Sequence, residues 1–204
     1  MWNNSKVRIY IIIFLIFFPK LLLAKGLEEN NFFLNSKSYY DLDIPNEIEI
    51  SIIGKEYIKY LKQIRDVGQK DNLNSNLVNS QRKKWIKGNI KSGSYNAKKN
   101  DINLILHGDF NDHISLPYSS LRIKAQNQFL YQLKDFILFK PETRRYQGEI
   151  FGTLFLSEIG ILAPYSKYIE LKINDNLPEN YIFQEKITKF FVERKGFREE
   201  PILE

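Results

Sequence analysis

The sequence predicts an α+β fold, a twisted and mainly antiparallel sheet with a long helix packed on one face. Three stretches predict it. Residues 101–124 read as two strands joined by a polar loop, 144–160 as a helix, and 165–185 as a second strand pair. In the first stretch Ile102, Leu104 and Leu106 share a face, while Leu121 and Ile123 oppose Ser120, Arg122 and Lys124. Alternation with a period of two is the signature of a half-buried strand. The loop between them holds Gly108, Asp109, Asn111, Asp112, His113 and Pro117, which is turn chemistry rich in acids. Arg122 and Lys124 beside that loop suit either a bound phosphate or a solvated sheet face.

The elements follow in order. Lys6 and Arg8 precede an apolar run over 9–18, and Ala24 follows a short leucine-rich segment. A basic start, a short apolar core and a small residue at a cleavage point describe a secretory leader over 1–24. Pro19 and Lys20 interrupt the run before the ~20 residues of a membrane span, and a retained anchor over 7–24 is the alternative. Export therefore places the chain in the periplasm or outside the cell, or anchors it in the inner membrane. Residues 25–45 read as a tether. Residues 46–81 read as a strand–helix extension and a linker: Ile48, Ile50 and Ile52 alternate, then Tyr57, Ile58, Leu61 and Ile64 fall on one helical stripe.

Arg82, Lys83, Lys84, Lys87, Lys91, Lys98 and Lys99 follow, interleaved with Trp85 and Tyr95. They suit an anionic partner or an exposed strand whose lysines blunt its edge. Half of the formal charge of +6 comes from Lys6, Arg8 and Lys20 in the leader. That weakens any nucleic-acid reading, and no groove-reading or RNA-binding motif occurs. Residues 129–139 predict another strand, ended by Pro141. In the helix over 144–160, Ile150, Leu154 and Ile161 mark an apolar side broadened by Phe151, Phe155 and Leu156, with Gly160 and Pro164 as its stop. Asn174, Asp175 and Asn176 supply the turn between strands at 165–173 and 181–185, and a helix opens at 187–194.

Several chemistries are excluded or left without a signature. With no cysteine there is no thiol nucleophile, thiolate metal site or disulfide. There is no G-x-S-x-G turn and no Gly-rich phosphate loop of the Walker type. Asp109, Asp112 and His113 could supply three ligands for a metal, but their spacing fits no zinc or calcium motif, and a turn whose acids cap backbone N–H groups is the preferred reading.

Five blocks, in order, carry a resemblance: GDFNDH (108–113), SSLRIK (119–124), the segment over 144–175, YIFQEKI (181–187) and KGFREEPILE (195–204). In these the chain resembles the CotH-like family, kinase-like proteins named for a bacterial spore-coat protein. The resemblance covers 82–204 and implies the N-terminal lobe of an atypical protein kinase, truncated before its catalytic lobe. It implies ATP and magnesium as cofactors, with Lys124 or Arg122 holding phosphates. Glu149, with Glu158 second, would orient that cation, and Glu185 would lie at the hinge against adenine. Such a lobe contributes nucleotide-phosphate binding without the catalytic aspartate. Its partners would be a second lobe, a protein substrate or an envelope component, and the membrane if the leader is retained. The alternative is a non-catalytic envelope protein that binds a partner or an anionic polymer.

Overall fold

The computed structural model describes residues 42–68, 82–93, 101–126 and 129–197. All fall in one of the two compact units of the chain, the one spanning Leu34–Glu204. The leader at 1–24, most of the tether, the linker at 69–81, Tyr95, Lys98, Lys99 and the tail at 198–204 lie outside the described residues.

The described residues form seven strands: β1 (Glu47–Ser51), β2 (Ile86–Lys91), β3 (Ile102–Leu106), β4 (Leu121–Ala125), β5 (Asp135–Phe139), β6 (Ser166–Ile173) and β7 (Glu179–Glu185). Three helices accompany them: α1 (Lys55–Gly68), α2 (Gly148–Glu158) and α3 (Lys189–Arg194). The strands close into a barrel in the order β1-β2-β3-β4-β5-β7-β6. Neighbours are antiparallel except at the seam, where β1 runs parallel to β6 with Ile48 opposite Leu171 and Ile50 opposite Ile173.

This corrects the α+β expectation and its likeness to a kinase N-terminal lobe. The strand assigned to an extension is the reason. On its other side β1 pairs with β2, setting Ile50 opposite Ile90, so it joins the two edges that an open sheet would leave free. Lys167 Nζ donates to Ile44 O at 2.6 Å, and the Glu170 N–H donates to Asn46 O at 2.7 Å. Ile48, Ile50, Ile90, Ile102, Leu104, Leu121, Ile123, Phe136, Leu138, Leu171, Ile173 and Phe183 fill the interior with essentially no exposure. Each buried apolar side chain stabilises by about 1.5–3 kcal/mol relative to exposure, so Ile48 and Ile50 hold β1 in the wall.

The second correction concerns the long helix. A 3-10 turn occupies Pro141–Arg144, and Arg145 and Tyr146 then take left-handed φ values of 52° and 54°. Left-handed residues cannot continue a right-handed helix. What remains is the 11-residue α2, which packs on the outside of the barrel through Ile150 against Ile137, Phe139 and Ile182. Elsewhere the period-two readings hold: Ile102, Leu104, Leu106, Leu121 and Ile123 all face inward.

α1 covers part of the barrel with Tyr60, Ile64 and Val67. The Tyr60 hydroxyl donates to Pro117 O at 2.9 Å. Gln63 brackets the backbone of Lys84, donating to its carbonyl at 2.9 Å and accepting its N–H at 3.1 Å. Tyr181, inside the wall, donates to Ser119 O at 3.1 Å. Burial pushes both tyrosine hydroxyls far above their ordinary value. Among the described residues no helix is long and apolar enough to cross a membrane.

Candidate anion-binding corner

The outer faces of β3, β4 and β5 meet the loop 107–120 and the 3-10 turn before α2 around one ring, Phe139. That ring is buried on the outside of the barrel wall. His107 packs edge-on against it at 5.3 Å and His113 lies 6.3 Å away. The Arg144 guanidinium stacks over it at 4.0 Å. A cation over an aromatic face is held by the ring quadrupole without needing a carboxylate. Arg144 Nε is buried and has no hydrogen-bond partner.

The loop is braced from inside. Ser120 Oγ accepts the Lys140 N–H at 3.1 Å and lies 3.0 Å from His113 Nδ1. His113 Nε2 is 4.0 Å from Asp112 Oδ1. The trio has the membership of a hydrolase triad, but Ser120 has no exposed surface. No substrate carbonyl reaches it, and the trio serves as a clamp on the loop. Lys83 Nζ donates to Gly108 O at 2.5 Å and lies 3.6 Å from the exposed carboxylate of Asp109. Lys140 Nζ bridges Glu142 at 2.8 Å, Asp112 O at 3.3 Å and Ser115 Oγ at 3.1 Å.

This surrounding charge acts on His107. Burial, then the positive charges of Arg144, His113, Lys83 and Lys186, bring its pKa down from 6.5 to about 4. His113 is also lowered, mainly by burial, with Asp112 acting the other way. A histidine with a depressed folded value contributes stability that is complete above its unfolded value and disappears as pH falls through the folded one. The His107 window runs from 6.5 down to about 4 and is worth about 3 kcal/mol at 1.36 kcal/mol per unit. The urea stability of the protein is therefore expected to fall between pH 7 and pH 4.5, and His107→Gln to flatten that fall. An unchanged slope in the variant would mean that another group carries it.

No family model matches this chain, and no curated protein does either. The CotH-like resemblance thus rests on the order of residue blocks, and each residue it implied has a definite place. Arg122 is engaged by Asp135, its Nε donating to Oδ1 at 2.9 Å and an outer nitrogen to Oδ2 at 2.5 Å, with Trp85 under the guanidinium at 5.6 Å. Lys124 is exposed, stands opposite Asn103 and Asp135 in the ladder, and makes no ion pair among the described residues. It lies four strand positions from His107, roughly 13 Å along the wall.

Glu149 is not brought to either cation. Its carboxylate accepts from Gln184 Nε2 at 2.6 Å, and Gln184 also reaches Ser166 Oγ at 3.1 Å. Glu158 is exposed near the far end of α2. Glu185 is 1% exposed and is gripped by Arg194, at 3.0 Å through Nε and 2.5 Å through an outer nitrogen. Asp109 and Asp112 both point to solvent, and among the described residues no three His, Asp or Glu side chains gather to hold a metal ion.

Sequence reasoning assigned Arg144 to the first turn of a helix and gave it no role. The signal for it was weak: two arginines after Pro141, with nothing to show that a left-handed break would set the first of them against Phe139.

Proposed function

We propose that this barrel is a non-catalytic binding protein that takes a phosphate-bearing ligand at the corner formed by Arg144, His107 and Lys83. The observation that supports it is Arg144, a half-buried guanidinium held on a ring face with no carboxylate on it among the described residues. Guanidinium matches the geometry of a phosphate oxygen pair. The resemblance to CotH-like proteins makes a nucleotide the first ligand class to try. The cations of the corner suit phosphate, and among the described residues no acidic cluster gathers for magnesium, so no step is assigned to that ion. The leader over 1–24 directs the protein out of the cytoplasm.

The test is calorimetric titration of the full chain with ATP, with pyrophosphate and with inorganic phosphate. Arg144→Ala is expected to weaken binding about 10- to 100-fold, the range for a lost charge-assisted hydrogen bond. Affinity should also rise from pH 7 to pH 5, because a bound anion favours protonated His107, and His107→Gln should remove that rise. Lys124→Ala reads whether the ligand extends along β4, as the resemblance implies. No binding of any of the three, or equal binding by Arg144→Ala, overturns the proposal.

A further inference from the structure

The outer face of β2, β3 and β4 combines cations with one exposed indole. Trp85 stands just before β2 and is 42% exposed. The ladder register places its neighbours. Lys87 lies opposite Asn103, and Asn103 opposite Lys124. Each alternates with buried residues on its strand and so points outward. An amide therefore sits midway between two lysines whose backbones are two strand spacings apart, about 10 Å. One row along, Arg122 lies opposite the half-buried Ile105, and its guanidinium covers the Trp85 ring at 5.6 Å. Asp135 holds that guanidinium through both oxygens, at 2.9 and 2.5 Å. Cation and ring are thus fixed before any ligand arrives, which lowers the ordering cost of binding. Glu56, at the margin, is occupied by Lys59 Nζ at 2.5 Å and by the Lys87 backbone N–H at 3.1 Å. Neither Lys87 nor Lys124 makes an ion pair among the described residues, so the face keeps its positive charge.

We propose that this face binds a linear acidic polysaccharide, one that carries an acid group on alternate sugars. A sugar ring has a flat C–H face that packs on an aromatic ring, and the indole offers the largest such surface. Its carboxylates accept charge-assisted hydrogen bonds from lysine. Its hydroxyls suit a side-chain amide, which both donates and accepts. The spacing carries the argument. Lys87 and Lys124 are separated by about the length of a disaccharide, with the neutral Asn103 between them, which matches acidic and neutral sugars in alternation. A single-stranded nucleic acid fits less well. It places a phosphate on every residue and stacks successive bases on successive aromatic rings, whereas Trp85 is the one exposed aromatic ring on this face among the described residues. The face is separate from the phosphate corner, since neither Arg144 nor Lys83 belongs to it.

The experiment is calorimetric titration of the full chain with hyaluronan oligosaccharides, whose carboxylates recur once per disaccharide. Chitin oligosaccharides serve as the neutral counterpart and oligothymidylate as the nucleic acid. Hyaluronan is expected to bind more tightly than either, and to weaken as salt is raised. Trp85→Ala is expected to lower its affinity about tenfold, and Trp85→Phe, which keeps a ring and the packing beneath it, to recover most of that loss. Lys87→Ala and Lys124→Ala are each expected to cost about threefold. Arg144→Ala should leave hyaluronan binding unchanged. No binding of hyaluronan at low salt overturns the proposal, and so does affinity indifferent to Trp85→Ala. Equal affinity for the chitin oligosaccharide overturns the acidic class. Tighter binding of oligothymidylate would assign the face to nucleic acid instead. A loss in Arg144→Ala as large as in Trp85→Ala would move the polymer to the phosphate corner and overturn its placement here.

Discussion

Arg194→Ala is expected to destabilise the protein by about 3–5 kcal/mol, the cost of stranding a buried charge. Glu185 ends β7 with 1% exposure, and both of its oxygens are taken by the Arg194 fork. The Tyr165 N–H, 3.5 Å from Oε2, is too weak a donor to replace it. Removing the guanidinium leaves a carboxylate inside the wall, and it also frees α3. That six-residue helix is otherwise fixed by Phe191 and by the Thr188 hydroxyl, which accepts the Phe191 N–H at 3.4 Å. Urea unfolding measures the loss. Arg194→Ala/Glu185→Gln is the informative companion, since a neutral amide in place of the stranded carboxylate should recover most of the stability. A single variant within about 1 kcal/mol of wild type would show that water already reaches Glu185.

Gly108→Ala comes next in size, at roughly 3 kcal/mol from backbone strain and overpacking together. Gly108 has φ of 99°, a region that only glycine enters freely. A methyl group there would fall inside the His113 ring. The ring cannot retreat without breaking its contact with Ser120, which in turn anchors Lys140. The variant should therefore lose the loop clamp and, with it, anion binding at Arg144. The two causes separate in a double variant. His113→Ala removes the collision but not the strain, so Gly108→Ala should cost less in that background than in wild type, an interaction readable by denaturation. Equal costs would assign the effect to φ alone.

Much of the barrel wall was legible because alternation reports each strand by itself. Ile102, Leu104, Leu106, Leu121 and Ile123 face inward as their spacing requires, and Asn174 turns β6 into β7 with φ of 51°. Closure was not legible. A strand with one buried face has the same alternation in an open sheet and in a barrel, so Ile48 and Ile50 could not announce that β1 would lie between β2 and β6. The packing of α2 misled for a related reason. Its sequence has apolar residues on nearly every side, and the most aromatic face is the one left outward.

The candidate site was half legible. The histidines and acids of the loop stood out by residue type. Arg144 owes its place to Phe139 and to a left-handed break, neither of which leaves a local pattern. Arg122, conspicuous in the sequence, is committed to Asp135.

The seam between β1 and β6 bears on how the molecule comes into being. Among the described strands β1 leaves the ribosome first, and one of its two neighbours, β6, is among the last to be made. Asn174 Oδ1 accepts the Ile52 N–H across 122 residues of chain. Until β6 is complete, β1 waits beside β2 with an unpaired edge, and every seam contact must meet a large loop-closure cost before it is rewarded. Folding is therefore set by long-range contacts and belongs to the slow, millisecond-to-second class of all-β chains. The barrel cannot lock while its closing strand is still being synthesised, so slow closure keeps the nascent chain open until β6 is made.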